Sequence, residues 1–143
     1  MFCGKTENNK INEIHKRTLR CVYNEQEKTL NDLLIQHQDQ PIHIRNIQSL
    51  MSIIYSSIKG FCPDIALNFF QTKKVNYSLR SSSILILPKC NTNKYGTNSI
   101  FFKGSLLWNS LPNFYKECDS EESFKTKIKQ WNPRTCTCNI CTM

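Results

Sequence analysis

Carboxylates and glycine are scarce in this sequence, and each shortage excludes a class of chemistry. The four aspartates, Asp32, Asp39, Asp64 and Asp119, are spread along the chain. Polymerases and nucleases hold two divalent metals about 4 Å apart on clustered carboxylates, and no Asp-Asp pair follows an aromatic residue here. Glu121 and Glu122 are adjacent, but they fall in a predicted first helical turn, where acidic side chains complement the helix dipole. With only four glycines, the chain has neither a phosphate-cradling Gly-rich loop nor a Gly-x-Ser-x-Gly elbow. Three histidines are present, His15, His37 and His43. Cys21 can be paired on paper with His15 or His43, but tertiary geometry sets such a pair, so a surface or core-edge histidine and a buried thiol are the simpler expectation. No catalytic residue is assigned.

Long apolar runs are also missing. A membrane span needs about 20 consecutive apolar residues, and no stretch approaches that. Met1 to Lys10 lacks the apolar run of a signal peptide. The expectation is an intracellular chain, nuclear or cytoplasmic, not secreted and without a membrane partner. The eight cysteines then read as thiols or metal ligands rather than disulfides.

What is abundant is positive charge. Nineteen Lys and Arg against 11 Asp and Glu give a net charge of +8, which favours an anionic partner, nucleic acid first. The basic residues are dispersed, in groups such as Lys16, Arg17 and Arg20, then Lys73 and Lys74, then Lys125, Lys127 and Lys129. No block of five like charges marks a basic tail. Apolar residues make up 39%, below the roughly 45–50% of an average domain, so the core must be thin.

Periodicity predicts a mainly α fold. A helix is expected over Asn8 to Asn24, with Ile11, Ile14, Thr18 and Val22 on its apolar stripe. A short helix is expected over Leu30 to Gln36, opened by Thr29 with Asp32 as a capping box. The clearest helix is Ile42 to Lys59, where Ile44, Ile47, Leu50, Met51, Ile54 and Ile58 recur at three- and four-residue spacing. Pro41 starts it, and Gly60 stands where a left-handed cap would end it. A further helix is expected from Pro63 through Phe70. These four helices form a predicted lobe over residues 1–72. Residues 73–133 then read as a small β-hairpin, Ser83–Leu87 with Ser99–Lys103, followed by short helices. One of these runs from Gly104 to Ser110, and another, opened by Asp119 and Glu122, to about Gln130. Residues 134–143 form an irregular Cys-rich tail.

Two groups carry recognisable chemistry. Cys136, Cys138 and Cys141 place three thiolates within six residues, the soft donors that chelate Zn²⁺. A structural zinc site takes four ligands, so Cys118, a histidine or a second chain would have to complete it. Zinc is therefore the candidate cofactor. Trp108, Trp131, Tyr77, Tyr95 and Tyr115 could stack on bases, although aromatics more often serve a core. Trp131, beside Lys127, Lys129 and Arg134, is the best placed for stacking. The candidate nucleic-acid-binding residues are thus Lys16, Arg17, Arg20, Lys125, Lys127, Lys129, Trp131 and Arg134.

One ordered set of motifs spans nearly the whole chain. Asn9-Lys10-Ile11-Asn12 leads to His15-Lys16-Arg17-Thr18-Leu19-Arg20 and Tyr23-Asn24, then to His43-Ile44-Arg45-Asn46 and Leu50. Tyr95-Gly96-Thr97-Asn98-Ser99-Ile100 follows. Gly104 comes next, with Leu107-Trp108-Asn109-Ser110-Leu111-Pro112. Ser123-Phe124-Lys125, Ile128-Lys129, Trp131-Asn132-Pro133 and the three closing cysteines complete the set. In this order the chain resembles the region after the polymerase domain in jockey-like non-LTR retrotransposon reverse transcriptases. The resemblance implies thumb-like and accessory helices that help hold template, primer or element RNA. It also implies that the catalytic aspartates of the parent RNA-directed DNA polymerase belong to an upstream palm, that Met1 is internal to a longer reading frame, and that the rest of the reverse transcriptase is a partner. The expected function is that of a non-catalytic remnant that binds RNA or DNA weakly. The alternative is a purely structural packing segment with no activity alone.

Overall fold

The computed structural model describes residues 5–64, 68–73 and 84–131. The chain is mainly α. Helix α1 runs Lys5–Tyr23, α2 Leu30–Gln36 and α3 Ile42–Lys59. A π-type turn at Asn93–Thr97 precedes α4 (Ile100–Ser110), α5 (Asn113–Lys116) and α6 (Glu121–Ile128). The contacts form two compact units that divide inside α3, one ending at Ile47 and the other spanning Gln48–Trp131. They therefore group differently from the sequence lobes that break near residue 73.

In the first unit, α2 has the boundaries its sequence predicts. The Thr29 hydroxyl accepts from the Asp32 backbone N–H, and the Asp32 carboxylate accepts from the Thr29 N–H at 3.2 Å. That reciprocal pair satisfies two backbone donors at a helix start, and the Asp32 carboxyl, accepting from the Thr29 hydroxyl at 2.6 Å and then from its N–H, is held below its usual range. Leu30, Leu33 and Leu34 are buried together with Leu19 of α1. Each such side chain removed from water stabilises the fold by about 1.5–3 kcal/mol.

Helix α1 departs from its predicted stripe. Its buried positions are Asn8, Asn12, His15 and Leu19, whereas Ile14 and Val22 are 64% and 67% exposed. Spacings of four, three and four still mark one helical face, but three of its four residues are polar. The apolar rule selected a stripe about a quarter-turn away, because it weighs hydrophobicity and cannot see the polar neighbours that His15 finds in the fold.

The three long connections out of α1, α2 and α3 share one device. Asn24, Gln38 and Gly60 have φ of 55°, 52° and 77°. The next residue donates its N–H five residues back in each case: Glu25 to Arg20, Asp39 to Leu34, and Phe61 to Ser56, at 3.1, 2.9 and 2.8 Å. These are Schellman ends, which require a left-handed residue just past the cap.

In the second unit, Leu50, Met51, Ile54 and Tyr55 of α3 are buried, as are Leu107, Trp108, Leu111, Phe124 and Ile128. The Tyr55 ring stacks on Phe124 at 4.3 Å, and Trp108 lies 6.0 Å from the same ring. The Tyr55 hydroxyl donates to the Cys118 carbonyl at 2.6 Å. Burial raises its pKa, which keeps it a donor. Gly104 is tightly packed: a Cβ there would stand 3.2 Å from Ile54 Cδ1, 3.5 Å from Leu50 Cδ2 and 3.6 Å from Phe70 Cε1.

The predicted hairpin is replaced. Ser99 caps α4, its hydroxyl accepting from the Phe102 N–H at 3.2 Å, so Ser99–Lys103 enters a helix rather than a strand. A short apolar run cannot be assigned by period alone, and Gly104 reads as a helix breaker until its close packing is seen. Leu85 instead forms an isolated antiparallel bridge with Thr72. The Lys73 N–H donates to the Ile84 carbonyl, and the Ile86 N–H to the Gln71 carbonyl, each at 2.8 Å. Helix α6 is capped by Ser120, which accepts from the Ser123 N–H, one residue beyond the predicted Asp119 start. Asn68, Phe69 and Phe70 are turn and bend residues, and 65–67 of the predicted Pro63–Phe70 helix lie outside the described residues.

Candidate nucleic-acid interface

The sequence-predicted basic residues have distinct environments. On α1, Arg17 is exposed and Lys16 half-buried. Arg20 is committed to the fold: its Nε and Nη2 donate to the Lys28 carbonyl at 3.0 and 2.6 Å. Lys28 in turn pairs with Glu25 at 2.8 Å and bonds the Gln36 side chain. Arg20 therefore clamps the turn between α1 and α2, and much of its hydrogen-bonding capacity is used there.

The other basic group belongs to the second unit. Lys125 is exposed and pairs with Glu121 at 2.6 Å, a contact that lowers the Glu121 pKa. Lys127 Nζ lies 4.4 Å from the centroid of the Phe114 ring, within cation–π range. Phe114 is 64% exposed and meets Tyr115 edge-on at 5.5 Å. Lys129 is exposed and Trp131 half-buried. The carbonyls of both accept from Gln48 Nε2, at 3.1 and 3.0 Å, so the α3 amide fixes the chain after α6. Trp108 is a core residue, 1% exposed, with Lys116 Nζ at 5.8 Å. Burial lowers the Lys116 pKa. Tyr95 is 77% exposed. Arg134, the candidate zinc ligands Cys136, Cys138 and Cys141, and Tyr77 lie outside the described residues. Among the described residues, no group of three or more His, Cys, Asp or Glu could hold a metal. No helix among them is long and apolar enough to cross a membrane.

Cys21 is exposed and His15 buried, and six residues apart on α1 the two leave the helix axis about 120° apart. Instead, His15 Nε2 lies 3.6 Å from Asp39 Oδ2 and 3.5 Å from Arg45 Nη2. Arg45 Nη1 reaches Asp39 Oδ1 at 3.5 Å. Burial, then the Arg45 charge, lowers the His15 pKa against the opposing pull of Asp39. His43 is also lowered by burial. The cluster joins α1, the α2–α3 turn and the first turn of α3. Spacing in the sequence gives no sign of it, since its members lie up to 30 residues apart.

Asn109 is a second residue that spacing does not reveal. Its Oδ1 accepts from the Leu85 N–H at 2.8 Å, and its Nδ2 donates to the Leu85 carbonyl at 3.0 Å. One side-chain amide thus acts as a strand partner for Leu85, which is 2% exposed. No protein-family model matches this chain, and no curated protein or solved structure shows significant similarity to it.

Proposed function

We propose that this chain is a non-catalytic remnant of a retroelement reverse transcriptase, related to the region after the polymerase domain, and that it binds nucleic acid weakly. The observation that carries the reading is the role of the resemblance's densest motif. Gly104, Leu107, Trp108, Asn109 and Leu111 are the tight helix contact, the buried core and the backbone clamp of the second unit. A motif of this kind specifies a folded accessory segment rather than a chemical step. The net charge of +8 and exposed Arg17, Lys125 and Lys129 supply the attraction to phosphate.

The test is fluorescence anisotropy of labelled RNA and DNA oligonucleotides with the full chain. Binding is expected at about 50 mM salt, with affinity falling steeply and log-linearly as salt rises. An absence of binding to either nucleic acid at that salt refutes the reading.

A further inference from the structure

The basic residues are dispersed, but one long stretch of the chain is nearly without acidic ones. Between residues 59 and 116 the sequence has eight Lys or Arg and one acidic residue, Asp64. Seven of the chain's eight net positive charges therefore lie in this stretch, within the second unit. The α1 and α6 groups are diluted by comparison. Glu7 and Glu13 share α1 with its cations, and Glu121 and Glu122 share α6 with its lysines.

The same stretch exposes aromatic rings. Phe69 is 52% and Phe101 is 40% exposed, and their ring centroids lie 5.5 Å apart at an interplanar angle of 58°. Phe70, 7% exposed, supports Phe101 from beneath at 5.8 Å. Lys73 and Lys89 are both exposed, and among the described residues neither makes an ion pair with a carboxylate. The Thr72–Leu85 bridge brings their two segments together. Two backbone hydrogen bonds, from the Lys73 N–H to the Ile84 carbonyl and from the Ile86 N–H to the Gln71 carbonyl, hold that bridge. Two solvent-facing rings thus share the second unit with two exposed lysines that make no ion pair among the described residues, in a sequence stretch with one acidic residue.

We infer that the Phe69–Phe101 surface is a binding site for single-stranded nucleic acid, with unpaired bases on the rings and phosphates at Lys73 and Lys89. Single strands suit it because every base has a face that stacks on an aromatic ring, while a duplex keeps its bases stacked on one another. The inference rests on the nucleic-acid reading above, but it moves the principal site away from α1 and α6.

The test compares the full-length protein with three variants: Phe69→Leu, the double variant Lys73→Glu/Lys89→Glu, and the triple variant Lys125→Glu/Lys127→Glu/Lys129→Glu. The probes are single-stranded oligo(U) and a duplex of equal length. Phe69→Leu keeps an apolar side chain on a half-exposed position, and near-ultraviolet circular dichroism of buried Trp108 reports whether each variant keeps its fold. The parent is expected to prefer oligo(U) to duplex. Phe69→Leu should weaken oligo(U) binding about tenfold, the loss of one stacked base, with little change in the salt slope. Lys73→Glu/Lys89→Glu should weaken binding at least as much and flatten the slope by about 1.4, for two single-strand phosphate contacts. In bromouridine photocrosslinking, the labelled peptides should contain Phe69 or Phe101. If the parent binds oligo(U) but the first two variants match it while the α6 triple variant does not, the site assignment is overturned and the broader reading stands. If the parent binds no nucleic acid, the broader reading fails first.

Discussion

Substituting Asn109 should reveal how far one amide sustains the second unit. The side chain both accepts from and donates to Leu85, at 2.8 and 3.0 Å, in a part-buried setting. Each hydrogen bond contributes about 1 kcal/mol net, and leaving a buried partner unsatisfied costs about 1–3 kcal/mol. Asn109→Ala orphans the Leu85 N–H and carbonyl together, so a loss of about 2–4 kcal/mol is expected. Asn109→Asp is the sharper probe. The carboxylate still accepts from the N–H but faces the Leu85 carbonyl with a second oxygen and no proton to share. Folding therefore favours the protonated acid, whose pKa is raised above its unfolded value. Sign follows directly: the unfolded carboxyl ionises first as pH rises, so this variant loses stability as pH rises through the unfolded value, and recovers in acid. Urea titrations followed by tryptophan fluorescence suit the measurement, since Trp108 and Trp131 both report on this unit. An Asn109→Ala midpoint within about 0.5 kcal/mol of wild type, the range of ordinary surface changes, would refute the clamp. So would an Asn109→Asp deficit that does not change with pH.

Other perturbations test the first unit by far-ultraviolet circular dichroism. Thr29→Ala removes the α2 capping hydroxyl and should cost about 1 kcal/mol, and no change would mean the capping box is idle. Gln38→Gly relieves a side-chain-bearing residue at φ 52° and should stabilise by about 1 kcal/mol; a loss would show that the Gln38 side chain contributes more than its backbone strain. Histidine protonation should make this unit less stable as pH falls below about 6.5, because buried His15 and half-buried His43 titrate lower when folded and the unfolded chain takes up more protons. His15→Gln should reduce that slope and Asp39→Asn should steepen it, since Asp39 is the group that opposes the shift; an unchanged slope in both variants would remove His15 from the explanation.

The fold was legible in the sequence wherever one physical signal sufficed. Helix α3 has six apolar residues at helical spacing, a proline start and a glycine stop, and its predicted boundaries match those observed. Helix α2 has a self-contained cap and three leucines. Legibility failed where a residue's role depended on a distant partner. On the buried face of α1, His15 meets Asp39 and Arg45, which hydropathy cannot register. The Ser99–Lys103 run opens a helix capped by Ser99, in which Gly104, a residue that local propensity scores as a penalty, fits against Ile54 and Leu50. The Schellman ends divide the same way. Gly60 announces itself, while Gln38 adopts the same left-handed geometry with nothing in its residue type to predict it.

The candidate site was harder to read than the fold, and the reason is electrostatic. Counting cations finds groups such as Lys125, Lys127 and Lys129, yet attraction to a polyanion depends on net charge within about a Debye length, roughly 8–10 Å. Around Lys125 the carboxylate of Glu121 stands 2.6 Å away, and a phosphate must compete with it. Among the described residues no carboxylate forms an ion pair with Lys73 or Lys89, although neither lies in a dense basic cluster. The scarcity of acid in residues 59–116, where Asp64 stands alone, is therefore more informative than any run of lysines. It also separates two demands on one chain: Trp108, Asn109 and Gly104 hold the second unit together from inside, while its outer surface is left positive and aromatic. Substitutions of the first kind should lower stability and binding together. Substitutions at Phe69, Lys73 or Lys89 should lower binding while the urea midpoint stays fixed, and that dissociation is the signature of a surface kept for a partner.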